Sequence, residues 1–100
     1  MALTVSQSDK TGDITITMGS RFDFNTHREF REAYSNADPS SEFIIDMKNT
    51  SYMDSSALGM LLLLREYAGG GNAKIIITNC DTEIQKVLEI SNFDQLFNIS

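Results

Sequence analysis

Two adjacent serines, Ser55 and Ser56, follow Asp54 and open a leucine-rich run from Ala57 to Leu64. Ahead of them, Phe43-Ile44-Ile45-Asp46-Met47 is a short apolar run that reads as a buried strand. Lys48 to Met53 is a polar connection between the two. Asp and Ser side chains accept hydrogen bonds from the free N–H groups of a first helical turn. The serines are therefore expected at a helix N-terminus, at the edge of a sheet, beside a carboxylate. In that position one of them can serve simply as the helix cap.

Other reactive constellations are poor. A hydrolytic triad can be written from Ser55, His27 and Asp23, but no G-x-S-x-G turn supports a strained nucleophile. His27 is the single histidine, and no Cys or His stands at ligand spacing from it, so no zinc site is expected. The phosphate-cradling patterns G-x-x-x-x-G-K and G-x-G-x-x-G are missing, and Gly69-Gly70-Gly71 ends a helix instead of opening one. Cys80 stands alone, which rules out an internal disulfide, fits a reducing cytoplasm and reads as a half-buried thiol at a strand end. The chain is thus expected to be neither an enzyme nor a cofactor or metal carrier.

Composition narrows the partners. One hundred residues suffice for a single domain spanning 1–100, with 41% apolar and 22% charged residues. The net charge of −6 and the scatter of Arg21, Arg28, Arg31 and Arg65 argue against nucleic acid and anionic membrane as ligands. No apolar run approaches the ~20 residues of a bilayer span, and the first residues lack the pattern of a signal peptide.

The elements that must position Asp54 and the serines follow from patterning. Leu3 and Val5 begin a first strand, Ser8 to Gly12 turns, and Ile14-Thr15-Ile16-Thr17-Met18 alternates as a second strand, giving an antiparallel hairpin. Thr26-His27-Arg28-Glu29 reads as a capping box for a helix with Phe30, Ala33 and Tyr34 on its buried face, ending near Asn36. A central helix is predicted from Ser55 to Ala68. Leu58, Leu61, Leu62 and Arg65 share one of its faces, and Met60, Leu63, Leu64 and Tyr67 point elsewhere. That surplus either packs on neighbouring helices or forms an exposed apolar patch beside Ser55. Lys74 to Thr78 reads as a buried parallel strand. Asp81 or Thr82 caps a third helix through Ile84, Val87 and Leu88, and Phe93, Leu96 and Phe97 anchor the tail, with a last short strand possible. Strands alternating with helices predict an α/β domain with a mixed four- to five-stranded sheet and helices packed mainly on one face.

The run from Asp46 through Ser51-Tyr52-Met53-Asp54-Ser55-Ser56-Ala57-Leu58-Gly59 resembles the signature of bacterial anti-sigma factor antagonists, the STAS domain family. The resemblance covers nearly the whole chain and implies the same architecture. It implies phosphorylation of Ser55 by a partner kinase. Ala57 stands where the family most often has Gly, adding a methyl near the serine. Phe22-Asp23 matches a second family feature at the end of the second strand, although Gly19 comes one residue early, with Ser20 inserted.

The mechanism implied is partner switching. The unphosphorylated protein binds an anti-sigma factor, a serine kinase of the histidine-kinase-like ATPase fold. Phosphorylation releases it, and a metal-dependent serine phosphatase restores it. The expected docking surface is the Arg21–Phe24 loop, Ser55 with its flanking residues and the outward side of the Met60–Leu64 turn, with Phe22, Asp23, Asp54, Ser56, Ala57, Leu58, Gly59, Met60 and Leu63 as its residues. For Asp23 a plain turn role stays open. The alternative implied by the same resemblance is a regulatory subunit of a membrane transporter, such as a lipid ABC system, or a switch with another output.

Overall fold

A computed structural model describes residues 3–100. Five strands form the main sheet: β1 (Leu3–Gln7), β2 (Ile14–Met18), β4 (Phe43–Asp46), β6 (Ile75–Thr78) and β7 (Asn98–Ile99), in the spatial order β1-β2-β4-β6-β7. β1 and β2 pair antiparallel and the remaining neighbours pair parallel, so the sheet is mixed, as the alternation predicts. Two further strands, β3 (Arg21–Phe22) and β5 (Tyr52–Met53), form a separate two-stranded parallel ladder. The helices are α1 (His27–Ser35), α2 (Ser55–Tyr67) and α3 (Thr82–Ile90).

Each parallel step, β2 to β4, β4 to β6 and β6 to β7, moves in the same direction and carries one helix. Right-handed crossovers that never reverse put all three helices on one face of the sheet. Burial follows. Ile14, Ile16 and Met18 of β2, Phe43 and Ile45 of β4 and Ile75 and Ile77 of β6 are buried. The alternate residues Thr15, Thr17, Ile44, Ile76 and Thr78, pointing to the bare face, are only half-buried. This explains why threonine alternates with isoleucine in β2: a β-branched methyl suits the strand and the hydroxyl tolerates water.

The central helix departs from the expected facing. Its buried stripe is Ala57, Met60, Leu61, Leu64 and Ala68, whereas Leu62 and Leu63 are exposed. Both openings left by the leucine surplus are therefore filled: some pack inward, and two remain outside on the face that carries Ser55. Gly69 and Gly70 have φ of +112° and +61°, which stops α2 as the triple glycine predicts. The predicted Thr26–Glu29 box is not formed. Thr26 instead joins Asp23 in a reciprocal cap on a 3₁₀ turn, Phe24–Thr26, that leads into α1. In the tail, Phe93 and Phe97 are buried with rings 5.4 Å apart, while Leu96 is exposed.

Candidate docking site around Ser55

The site is built where β3 and β5 run side by side. Backbone N–H groups of Ser51 and Tyr52 donate to the Ser20 carbonyl at 2.9 and 3.2 Å, and the Thr50 hydroxyl donates to the Gly19 carbonyl at 2.8 Å. Side chains alternate on such short strands. Phe22 and Met53 turn into the core, with the Phe22 ring 5.1 Å from Phe30, and Arg21 and Tyr52 turn out. The Arg21 guanidinium lies 4.2 Å over the Tyr52 ring and its Nε donates to Asp23 Oδ2 at 3.1 Å. The Arg21 end of the pair is exposed and the Asp23 end buried, so the pair chiefly fixes where the side chains point.

Asp54 is the hinge of the arrangement. Its Oδ1 accepts from the Ala57 N–H at 3.1 Å, capping α2. Its Oδ2 accepts from the Phe24 N–H at 3.4 Å, a weak bond that crosses to the β3 loop. Because Asp54 caps the helix, neither serine has to. Ser55 is exposed at the first helical position and Ser56 is half-buried behind it. The α2 first turn contains no acidic side chain, so its free N–H groups and helix dipole favour added negative charge there.

From Ser55 an exposed stripe continues along α2 through Gly59, Leu62 and Leu63, the last 55% exposed. A Cβ added at Gly59 would meet nothing within 4 Å. Glycine inside a helix costs about 0.5–1 kcal/mol relative to alanine, and nothing within the chain requires it here. Phe24, 71% exposed, stands at the edge of the same surface, with its ring 6.4 Å from and nearly parallel to His27.

Four of the residues expected to dock are not on this surface. Phe22 and Ala57 are fully buried and Met60 nearly so, since they face the core from β3 and from the inner stripe of α2. The Ala57 methyl therefore points away from any partner. Asp23 is buried too, and its Oδ1 accepts from the Asn25 N–H at 3.0 Å, a turn role. The carboxylate that reaches across the loops is that of Asp54. Ser55, Gly59 and Leu63 are exposed, and Asp54, Ser56 and Leu58 half-buried. Arg21 and Phe24 of the expected loop and Leu62 of the expected Met60–Leu64 turn are exposed, and exposed Tyr52 adds to the surface without having been expected there. In the folded ladder Arg21 and Tyr52 lie outward because their neighbours Phe22 and Met53 turn in, while Phe24 is exposed on the 3₁₀ turn that follows.

Comparison with known proteins settles the family. A family model of the STAS domain matches residues 4–100. The chain belongs to the STAS domain family. It is 50% identical, over the whole length of both chains, to a STAS-domain containing protein of Pseudomonas aeruginosa. Among solved structures it is similar to the anti-sigma factor antagonist SpoIIAA in its unphosphorylated form, with a TM-score of 0.80 and 18% identity over 99% of this chain and 88% of that one. The Bacillus SpoIIAA in its phosphorylated form gives 0.68 and 17%, over 99% and 91%. A putative anti-sigma factor antagonist of Thermotoga maritima gives 0.81 and 11%, over 97% and 84%. At these identities the structures speak for the fold, and this STAS chain shares it throughout. No helix among the described residues is long and apolar enough to cross a membrane.

Proposed function

We propose that this STAS protein is an anti-sigma factor antagonist that works by partner switching, with Ser55 as the phosphorylated residue. Unphosphorylated, it binds an anti-sigma factor that is also a serine kinase of the histidine-kinase-like ATPase fold. Phosphorylated, it lets go, and a metal-dependent serine phosphatase returns it to the binding form. It acts as ligand and substrate, with no catalysis of its own. The observation that carries this reading is the division of labour at α2: Asp54 holds the cap, leaving Ser55 exposed beside Gly59 and Leu63. The solved relatives described as anti-sigma factor antagonists support it.

The charge argument is direct. A phosphate adds about −1.5 to −2 charges. Within the domain, the helix N-terminus tolerates it, worth about 0.3–1 kcal/mol. In a docked interface it sits beside Asp54, must be desolvated, and repels any acidic partner surface. The same group is therefore mild for the fold and severe for the complex.

Intact-mass analysis of the protein from growing cells, with Ser55→Ala as control, tests the site. One phosphate lost in the variant supports it; phosphate on Ser56 alone, or none under any growth condition, overturns it. Affinity for the copurifying kinase is expected to survive Ser55→Ala and to fall with Ser55→Asp. Copurification with a membrane ATPase complex in place of a soluble kinase would reject the role.

A further inference from the structure

A groove of about 440 Å³ separates α1 from α2, away from the serines but reaching the same face. Its floor is Phe30, Tyr34 and Met60, all buried, and the Tyr67 ring closes one end, 5.1 Å from Tyr34. Tyr67 is pinned there, its hydroxyl donating to the Ala37 carbonyl with the Ser35 carbonyl 3.2 Å away. One rim is the exposed Leu63; the other is His27 and Arg31. His27, Arg31 and Tyr34 fall at i, i+4 and i+7, and Met60, Leu63 and Tyr67 at i, i+3 and i+7, so each wall runs for about two helical turns, roughly 10 Å.

Charge tells what fits. The chain carries −6 overall, yet the charged residue lining this groove is Arg31, joined by the ionisable His27. The acids of α1, Glu29 and Glu32, line the opposite flank, against β1. Arg31 and Tyr34 line the groove together; burial raises the Tyr34 pKa and the Arg31 charge works against that rise. An apolar trough two turns long with a cationic rim complements an amphipathic helix that carries acidic residues along one edge of its apolar stripe.

We infer that the α1–α2 groove receives an acidic amphipathic helix of the protein that docks over Ser55, as a second contact independent of the phosphorylated residue. The identity of that protein rests on the partner-switching reading; the chemistry of the groove does not. Two contacts on one face make binding selective: Ser55 reports phosphorylation state, and the groove discriminates among partners by charge.

The test uses two stapled helices of about 15 residues sharing one leucine frame at i, i+3, i+4 and i+7, one with glutamate and one with lysine at the flanking positions. Each is titrated into the isotope-labelled full chain and followed by amide shifts. The glutamate helix is expected to move residues of α1 and α2 and to bind at least about tenfold more tightly than the lysine helix. Arg31→Glu, at an exposed position, is expected to erase or invert that preference, and Leu63→Glu to weaken the glutamate helix by about tenfold. Equal binding of the two helices, shifts outside the groove, or no shift at millimolar peptide would overturn the inference. Ser55→Asp is expected to leave peptide affinity unchanged while weakening the kinase; a loss of peptide affinity in that variant would overturn the independence of the two contacts. Failure of the peptides with Ser55 still phosphorylated in cells would remove the groove and leave the switch.

Discussion

The helices α2 and α3 both follow a parallel strand and both begin with an aspartate cap. Asp54 accepts from the Ala57 N–H at 3.1 Å, and Asp81 accepts from the Ile84 N–H at 2.8 Å. Beyond the cap they diverge. The α3 first turn carries Glu83, an acid that complements the dipole from within, and Asp81 is exposed. The α2 first turn carries two serines and no acid, and Asp54 spends its second oxygen on the Phe24 N–H across the β3–β5 ladder. A helix start becomes a candidate switch when its first turn carries an exposed hydroxyl and no acid, and when its cap is tied to a second loop. At α3 those conditions fail, so it reads as a stop in the fold and nothing more.

Breaking the ladder is expected to have the largest effect. Phe22→Ala removes a fully buried ring packed on Phe30 and is expected to cost about 3–5 kcal/mol. Denaturant unfolding reads this directly, and a loss below ~1 kcal/mol would show that the ladder is peripheral. Next come the two caps. Asp54→Ala is expected to cost about 2 kcal/mol and Asp81→Ala about 1, since caps range over about 0.5–2 and Asp54 also holds Phe24. Equal losses in paired chemical melts would erase the difference drawn here.

Gly59→Ala acts in opposite directions on fold and function. The added methyl meets open space, so the fold is expected to gain about 0.5–1 kcal/mol. Affinity for the partner kinase is expected to fall if the bare backbone is what the partner approaches; a stabilised variant that binds as well as the wild type would clear Gly59 from the interface. Ser55→Ala, in contrast, is expected to move stability by less than about 0.5 kcal/mol, because the cap lies elsewhere. A loss above ~1 kcal/mol would mean that Ser55 is structural.

The smallest expected effect belongs to α3. Burial, with the neighbouring Asp81 charge second, pushes the Cys80 thiol up to about 11. A raised thiol pKa stabilises the fold below the unfolded value, and that contribution is lost as pH rises through about 11. Alkylation of the native protein at pH about 8 is expected to lag far behind that of the unfolded chain. Asp81→Asn is expected to quicken it slightly, and a large increase would make the carboxylate, not burial, the main cause.

Much of this was legible in the residues. The apolar runs at Phe43–Met47 and Ile75–Thr78, the hairpin alternation and the triple-glycine stop map onto observed elements because each is a local pattern with one cheap solution. The site was harder. Its position followed from Asp54 and Ser55, but its surface depended on facing. With apolar residues nearly all round α2, periodicity could not say that Met60 turns in and Leu63 out. The β3–β5 ladder is only two residues per strand, too short for alternation to announce that Phe22 turns in while Arg21 and Tyr52 turn out. Asp23 and Thr26 satisfied each other across a 3₁₀ turn, a pairing that looks in sequence like a cap for the following helix.

The order of strands in space is the order in which they leave the ribosome. β1, β2, β4, β6 and β7 succeed one another across the sheet without a reversal. Each new parallel strand therefore joins an edge that already exists, and none has to be inserted between two others. The ladder, Asp54 and the whole of α2 lie within residues 21–67, so every group that forms the Ser55 surface has been synthesised before β6 begins. Vectorial synthesis can thus lay down the docking surface first and finish the far edge of the sheet last, with Phe93 and Phe97 as the closing contacts.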